Sequence, residues 1–324
     1  MNEWAEDTPY LTRLADIIKN KRQIKDSSVK VYVFNIQKLH HKIFGNRDVT
    51  SLEFLKDYKM VINTLSEDMK PSSIKTYLAS IVVALTAEND EDTATFYRED
   101  MIKLANQHSE TEAKQEKTET QLKNWVSLKE LRTVVRNYKA QLKNVFTKNP
   151  DQITPKERNL LQMWLVGSLY TSDSNPPTRN DYIMKILTNK AYIALPEEDK
   201  NSHNYLVIKN KSTKFFSFGN YKTAGTYGVK EIPVGKTLNA TINVYRKFNT
   251  SDDLLLNANK SPMTSNGLTK YLNKVFSPTG KQISSTMIRH IYISTKFPAQ
   301  TAEKSDVADK MLHSVTQQTE YAKK

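Results

Sequence analysis

Over the first hundred residues, apolar side chains recur at helical intervals. Val33, Ile36, Leu39 and Ile43 form one series, and Leu78, Ile81, Val82 and Leu85 form another. Such spacing gives each stretch one side that faces a core. The segments opening the two series are near copies: Ser27-Ser28-Val29-Lys30-Val31-Tyr32 and Ser72-Ser73-Ile74-Lys75-Thr76-Tyr77. In each, a serine stands where a helix N-cap is expected, because its hydroxyl can accept from a free backbone N–H. Lys30 and Lys75 then fall near helix starts, whose unpaired N–H groups attract anions, and are candidate contacts to a phosphate backbone. Any well-made helix start would also use these serines.

Residues 106–124, NQHSETEAKQEKTETQLKN, hold no aromatic and no β-branched aliphatic residue. Such a segment buries little and reads as an exposed linker or the solvated end of a helix. From Trp125 the core pattern returns, with helices expected over 127–145 and 155–170. The period then shortens. Residues 204–208, 214–218 and 229–234 are β-rich runs punctuated by Gly and Asn, which predict a small antiparallel sheet. Helices are expected again at 264–276, 285–296 and 303–314, with a last one carrying Tyr321. The fold class expected is mainly α with a small antiparallel β-sheet (α+β). The domains are a helical one over 1–105, a linker over 106–124 and a second domain over 125–324.

Composition narrows the function. The 324 residues are 38% hydrophobic and 26% charged, and no stretch approaches the ~20 apolar residues of a membrane span. The acidic, polar start MNEWAEDTPY is not a signal peptide, so an intracellular protein is expected. With no cysteine, disulfides and cysteine-bound zinc are excluded. A net charge of +13 favours a polyanionic partner, since each Lys or Arg on a phosphate releases counterions. Gly235-Lys236-Thr237 lacks the first glycine of a phosphate loop, Lys230 standing there, and reads as a turn after a strand. Asp252-Asp253 is too isolated for a hard-cation site.

One ordered set remains. It comprises Arg179 in PPTRNDY, Lys222 in YKTAGTYG, Arg289 in MIRHIYIS, His313 in MLHS, and Tyr321 eight residues after that histidine. Taken singly, each would be read as surface, solvated hairpin or tail. As a series, the set and its contexts resemble the tyrosine recombinase and integrase family over about residues 125–324, and more loosely in the helical N-terminal half. The wording of the three longer motifs is similar to recombinases of large DNA viruses and mobile elements.

That resemblance implies a core-binding domain followed by a catalytic domain. The implied activity is site-specific cutting and rejoining of double-stranded DNA through a covalent 3′-phosphotyrosine, by a homo-oligomer (tetramer) on DNA, with no metal and no cofactor. The chemistry suits the residue types. Two arginines can fork onto the non-bridging oxygens where transition-state charge gathers. Tyr321 would be the nucleophile, Lys222 the proton donor to the leaving 5′-oxygen, and His313 a further phosphate contact or an aid to proton transfer. Thr286 stands where the family usually has histidine, one helical turn before Arg289, and would reach the same phosphate. Asp181 lies two residues after Arg179, where the family places an acid at the third, here Tyr182. His290 is turned by roughly 100° from Arg289 and reads as structural. The alternatives are a type IB DNA topoisomerase and a non-catalytic DNA-binding protein retaining the fold.

Overall fold

The computed structural model describes residues 9–113, 116–297, 307–308, 310–312 and 321. The chain divides into two units, Met1–Lys114 and Gln115–Lys324. The first holds α1 (Pro9–Arg22), α2 (Asp26–Phe44), α3 (Tyr58–Ser66), α4 (Pro71–Ala87) and α5 (Glu91–Ala113). Val33, Ile36 and Leu39 of α2 meet Leu78, Ile81, Val82 and Leu85 of α4 in one apolar core. A buried polar link joins the same helices, Asn35 Nδ2 donating to Ser80 Oγ at 2.9 Å.

The serines do not cap these helices. The N-caps are Lys25 and Lys70, both extended and neither bonded to a helix N–H through its side chain. Pro71 explains the shift for α4: it has no N–H to satisfy and its fixed φ suits the first helical position. Lys30 and Lys75 are therefore the fifth residues of their helices, and both are half-buried. Residues 106–113, within the segment read as a linker, continue α5, and residues 119–124 form a helix of the second unit.

That second unit begins with α6 (Glu119–Asn124), α7 (Leu128–Gln141) and α8 (Pro155–Thr171), each opened by a capping box from Thr118, Ser127 and Thr154. Strand β1 (Lys185–Thr188) leads through α9 (Asn189–Ile193) and α10 (Glu197–Ser202) into β2 (Asn204–Ile208) and β3 (Lys214–Phe218). Then come α11 (Ala224–Tyr227), β4 (Lys230–Pro233), α12 (Lys236–Phe248), α13 (Ser265–Val275) and α14 (Ser285–Lys296). Around α8 pack α7, α12, α13 and α14.

The sheet runs β1-β2-β3-β4 and is mixed, which corrects the antiparallel expectation. β2, β3 and β4 pair antiparallel, but β1 pairs parallel to β2, with Lys185 opposite Tyr205. A parallel neighbour needs a crossover, and α9 and α10 supply it. Both faces of the sheet are covered. Leu206, Phe216 and Phe218 enter the main core, while Tyr205, Val207 and Phe215 pack with Tyr192 of α9. Gly235 is the N-cap of α12 and not a simple turn residue. Among the described residues, no helix is long and apolar enough to cross a membrane.

Candidate active site

Arg179 sits on the loop between α8 and β1, where Pro176 and Pro177 stiffen the chain. The Tyr170 hydroxyl donates to the Arg179 carbonyl, and the Arg179 N–H donates to Asp181 Oδ2 at 3.0 Å. Asn180 fixes the same loop to α13, its Nδ2 donating to the Ser265 carbonyl and Thr269 Oγ1 at 3.1 and 2.9 Å. Tyr182, three residues after Arg179, is core: its ring packs edge-on to Tyr170 and Phe216. Burial raises the Asp181 carboxyl above its ordinary range, against the nearby Arg179 and Arg289 charges.

Arg289, on the first turns of α14, is fully buried. Its Nη1 donates to the Tyr321 hydroxyl, and its guanidinium lies 4.2 Å from the centre of the Tyr321 ring. The other two donor atoms, Nε and Nη2, are buried without a partner among the described residues. Desolvation and the neighbouring Arg179 push the guanidinium down to about 10, against the pull of Tyr321 and Asp181, so it stays a cation near neutrality.

His290 takes part, contrary to the expectation from its helical angle. Its Nδ1 is 3.0 Å from the Tyr321 carbonyl, and the two rings meet edge-on at 4.7 Å. The tautomer follows from the next residue out. Gln121 Oε1 accepts from the Thr118 N–H, so its Nε2 is the atom facing His290 Nε2 at 3.2 Å. An amide nitrogen donates, hence His290 Nε2 accepts and Nδ1 carries the proton given to Tyr321. The capping box of α6 thereby holds the histidine that holds the tyrosine. Sequence spacing alone gives no signal for this, because Tyr321 lies across two adjacent positions of α14.

Lys222 is exposed on the turn between β3 and β4. Its neighbour Thr223 donates through Oγ1 to the Leu312 carbonyl at 3.0 Å, and Arg179 Nη1 donates to the same oxygen at 3.3 Å. Leu312 is held at φ 59, a left-handed conformation costly for a branched residue. His313 lies outside the described residues. The structure thus brings Arg179, Arg289, Tyr321 and the Lys222 turn together around α14 and Leu312. It leaves Thr286 exposed in the first turn of α14, its side chain making no hydrogen bond among the described residues.

The base of the Lys222 turn is tied down by one side chain. Asn204 Oδ1 accepts from the N–H groups of Gly219 and Asn220 at 3.1 and 2.8 Å. Its Nδ2 donates to the carbonyls of Asn220 and Asp181, both at 3.0 Å. A Cβ on Gly219 would lie 1.7 Å from the Lys200 carbonyl oxygen, so only glycine fits.

Comparison with family models, with characterised proteins and with solved structures finds no match to this chain.

Proposed function

We propose that this protein breaks and rejoins DNA strands as a site-specific recombinase or integrase, with Tyr321 as nucleophile. The observation that carries the reading is the pairing of the Tyr321 hydroxyl with a fully buried arginine that keeps two donor atoms unpaired. Leaving buried donors unmet costs about 1–3 kcal/mol each, so a site with two of them on a cation favours an anionic oxygen. Arg179 and the Lys222 turn converge on the same region through the Leu312 carbonyl.

In the reaction proposed, the Tyr321 oxygen forms a bond to phosphorus as the bond to the 5′-oxygen breaks. The tyrosine proton leaves to solvent or a neighbouring base, and Lys222 delivers a proton to the departing 5′-oxygen. Arg289 and Arg179 offset the charge gathering on the non-bridging oxygens. The phosphotyrosine keeps the bond energy, and attack by a 5′-hydroxyl reverses every step. Duplex DNA is the substrate, bound by several copies of the chain, with Lys30 and Lys75 contacting its backbone.

The test is a duplex nicked next to the cleavage point, which traps a covalent protein–DNA adduct. The intact chain forms the adduct in EDTA and without nucleotide, and Tyr321→Phe forms none while binding the same DNA. An adduct with the Phe variant overturns the assignment of the nucleophile.

A further inference from the structure

A cavity of about 520 Å³ opens in the second unit away from Arg289 and Tyr321, between α8, α12, α13 and the 254–263 segment. Its volume is that of a small-molecule site, such pockets spanning roughly 300–1,000 Å³. The floor is aromatic and apolar, with Tyr245 and Phe248 of α12 and Leu161 of α8 almost wholly buried. Its shape is fixed by hydrogen bonds. Gln162 accepts from the Leu256 N–H at 2.9 Å and donates to the Leu256 carbonyl at 2.9 Å, as a neighbouring strand would. Tyr271 donates to the carbonyl and side-chain oxygens of Asn159 at 3.2 and 3.1 Å.

The charge is one-sided. Arg158, Lys260, Lys270 and Lys274 all line the cavity, and no carboxylate does. None of the four forms an ion pair among the described residues. Arg158 uses Nη1 on the Phe248 carbonyl at 2.6 Å, and its other N–H groups have no partner there. Four cations bordering an apolar hollow repel one another, and a bound anion relieves that repulsion. The body of such an anion would bury against Phe248 and the tyrosine rings, where area rather than charge supplies affinity.

We infer that this cavity binds a small organic anion, with an aromatic or aliphatic body on the α12 floor and a carboxylate or phosphate head among Arg158, Lys270 and Lys274. The site is independent of the DNA chemistry. Two helices touch both: α8 presents Tyr170 to the Arg179 carbonyl and Arg158 to the cavity, and α13 presents Ser265 and Thr269 to Asn180 and Lys270, Tyr271 and Lys274 to the cavity.

The test uses the full chain and two fluorescent probes of like shape, anionic anilinonaphthalene sulfonate and neutral N-phenyl-1-naphthylamine. Lys270→Gln with Lys274→Gln should weaken the anionic probe about tenfold, equivalent to ~1.4 kcal/mol, and leave the neutral one nearly unchanged. Ala258→Trp, at the exposed rim, should remove binding of both without changing the melting temperature. Displacement of the sulfonate by phenylacetate or by phenyl phosphate identifies the head group, and displacement by neither at millimolar concentration overturns the proposal. It is also overturned if both variants bind the sulfonate as the parent does. Displacement by duplex DNA overturns it as well, by assigning the four cations to the nucleic acid.

Discussion

Arg289 holds Tyr321 twice, by a hydrogen bond to the hydroxyl and by its guanidinium lying over the ring at 4.2 Å. One planar cation thus fixes both the height and the direction of the tyrosine oxygen. Lysine could keep the charge but not the planar fork of donors. Arg289→Lys should therefore lower single-turnover cleavage of nicked DNA by ~10²–10³, the usual loss on removing a transition-state donor. Cleavage within a few-fold of the parent would show that the guanidinium is not used on the phosphate.

His290 acts on the tyrosine through its main chain. His290→Ala should slow cleavage at saturating DNA by roughly fivefold, matching one hydrogen bond of ~1 kcal/mol, while DNA affinity stays the same. His290→Asn, whose side-chain nitrogen can stand in for Nδ1, should restore most of the rate. If asparagine restores nothing while both variants melt alike, the ring contact matters and the hydrogen bond does not.

The helical stripes are readable because each rests on local spacing, whereas the candidate site residues are ordered only by the resemblance of their short contexts. Leu78, Ile81, Val82 and Leu85 are all buried in α4, as their intervals require. What escapes such reading depends on partners distant in sequence. β1 is four residues with a single buried side chain, Ile186, so it carries no periodic signature. α12 is hidden behind Gly235-Lys236-Thr237, whose glycine is an N-cap without a side chain to betray it. Gln121 and His290 are 169 residues apart, and nothing local links them.

Binding should fall steeply with salt, as a net charge of +13 implies. Lys30→Ala combined with Lys75→Ala should weaken binding to all sequences and flatten the slope of log affinity against log salt by about 2, one for each phosphate no longer neutralised. An unchanged slope shows that neither lysine contacts a phosphate.

Asp181 makes a prediction about pH. Its native carboxyl titrates above the ordinary 3.8, chiefly through burial, so the native state takes up the proton before the unfolded state does. The stability it contributes is complete below that ordinary value and is lost as pH rises through the raised native one. Asp181→Asn stays neutral throughout and can still accept from the Arg179 N–H. Melting temperatures measured from about pH 4 to about pH 7 should diverge, with the asparagine variant gaining on the parent as pH rises. Parallel curves would mean the carboxylate is better solvated than its position indicates.

Asn204 grips the strand end at Gly219 and Asn220, and this turns the Lys222 arm into a tether of fixed length. Only Tyr221 separates the anchored Asn220 from Lys222, two residue steps with a backbone span of about 7 Å at full stretch. The far side of the turn, Gly225 to Val229, is bonded to the turn itself, as where the Tyr221 hydroxyl donates to the Gly228 carbonyl at 2.7 Å. It can be lengthened without moving the lysine's origin. Chain length is therefore free on one side of Lys222 and fixed on the other. An added residue after Val229, beyond α11 and its bonds to the turn, should be tolerated, whereas one between Asn220 and Lys222 should carry the ammonium out of reach and stop cleavage while the fold survives.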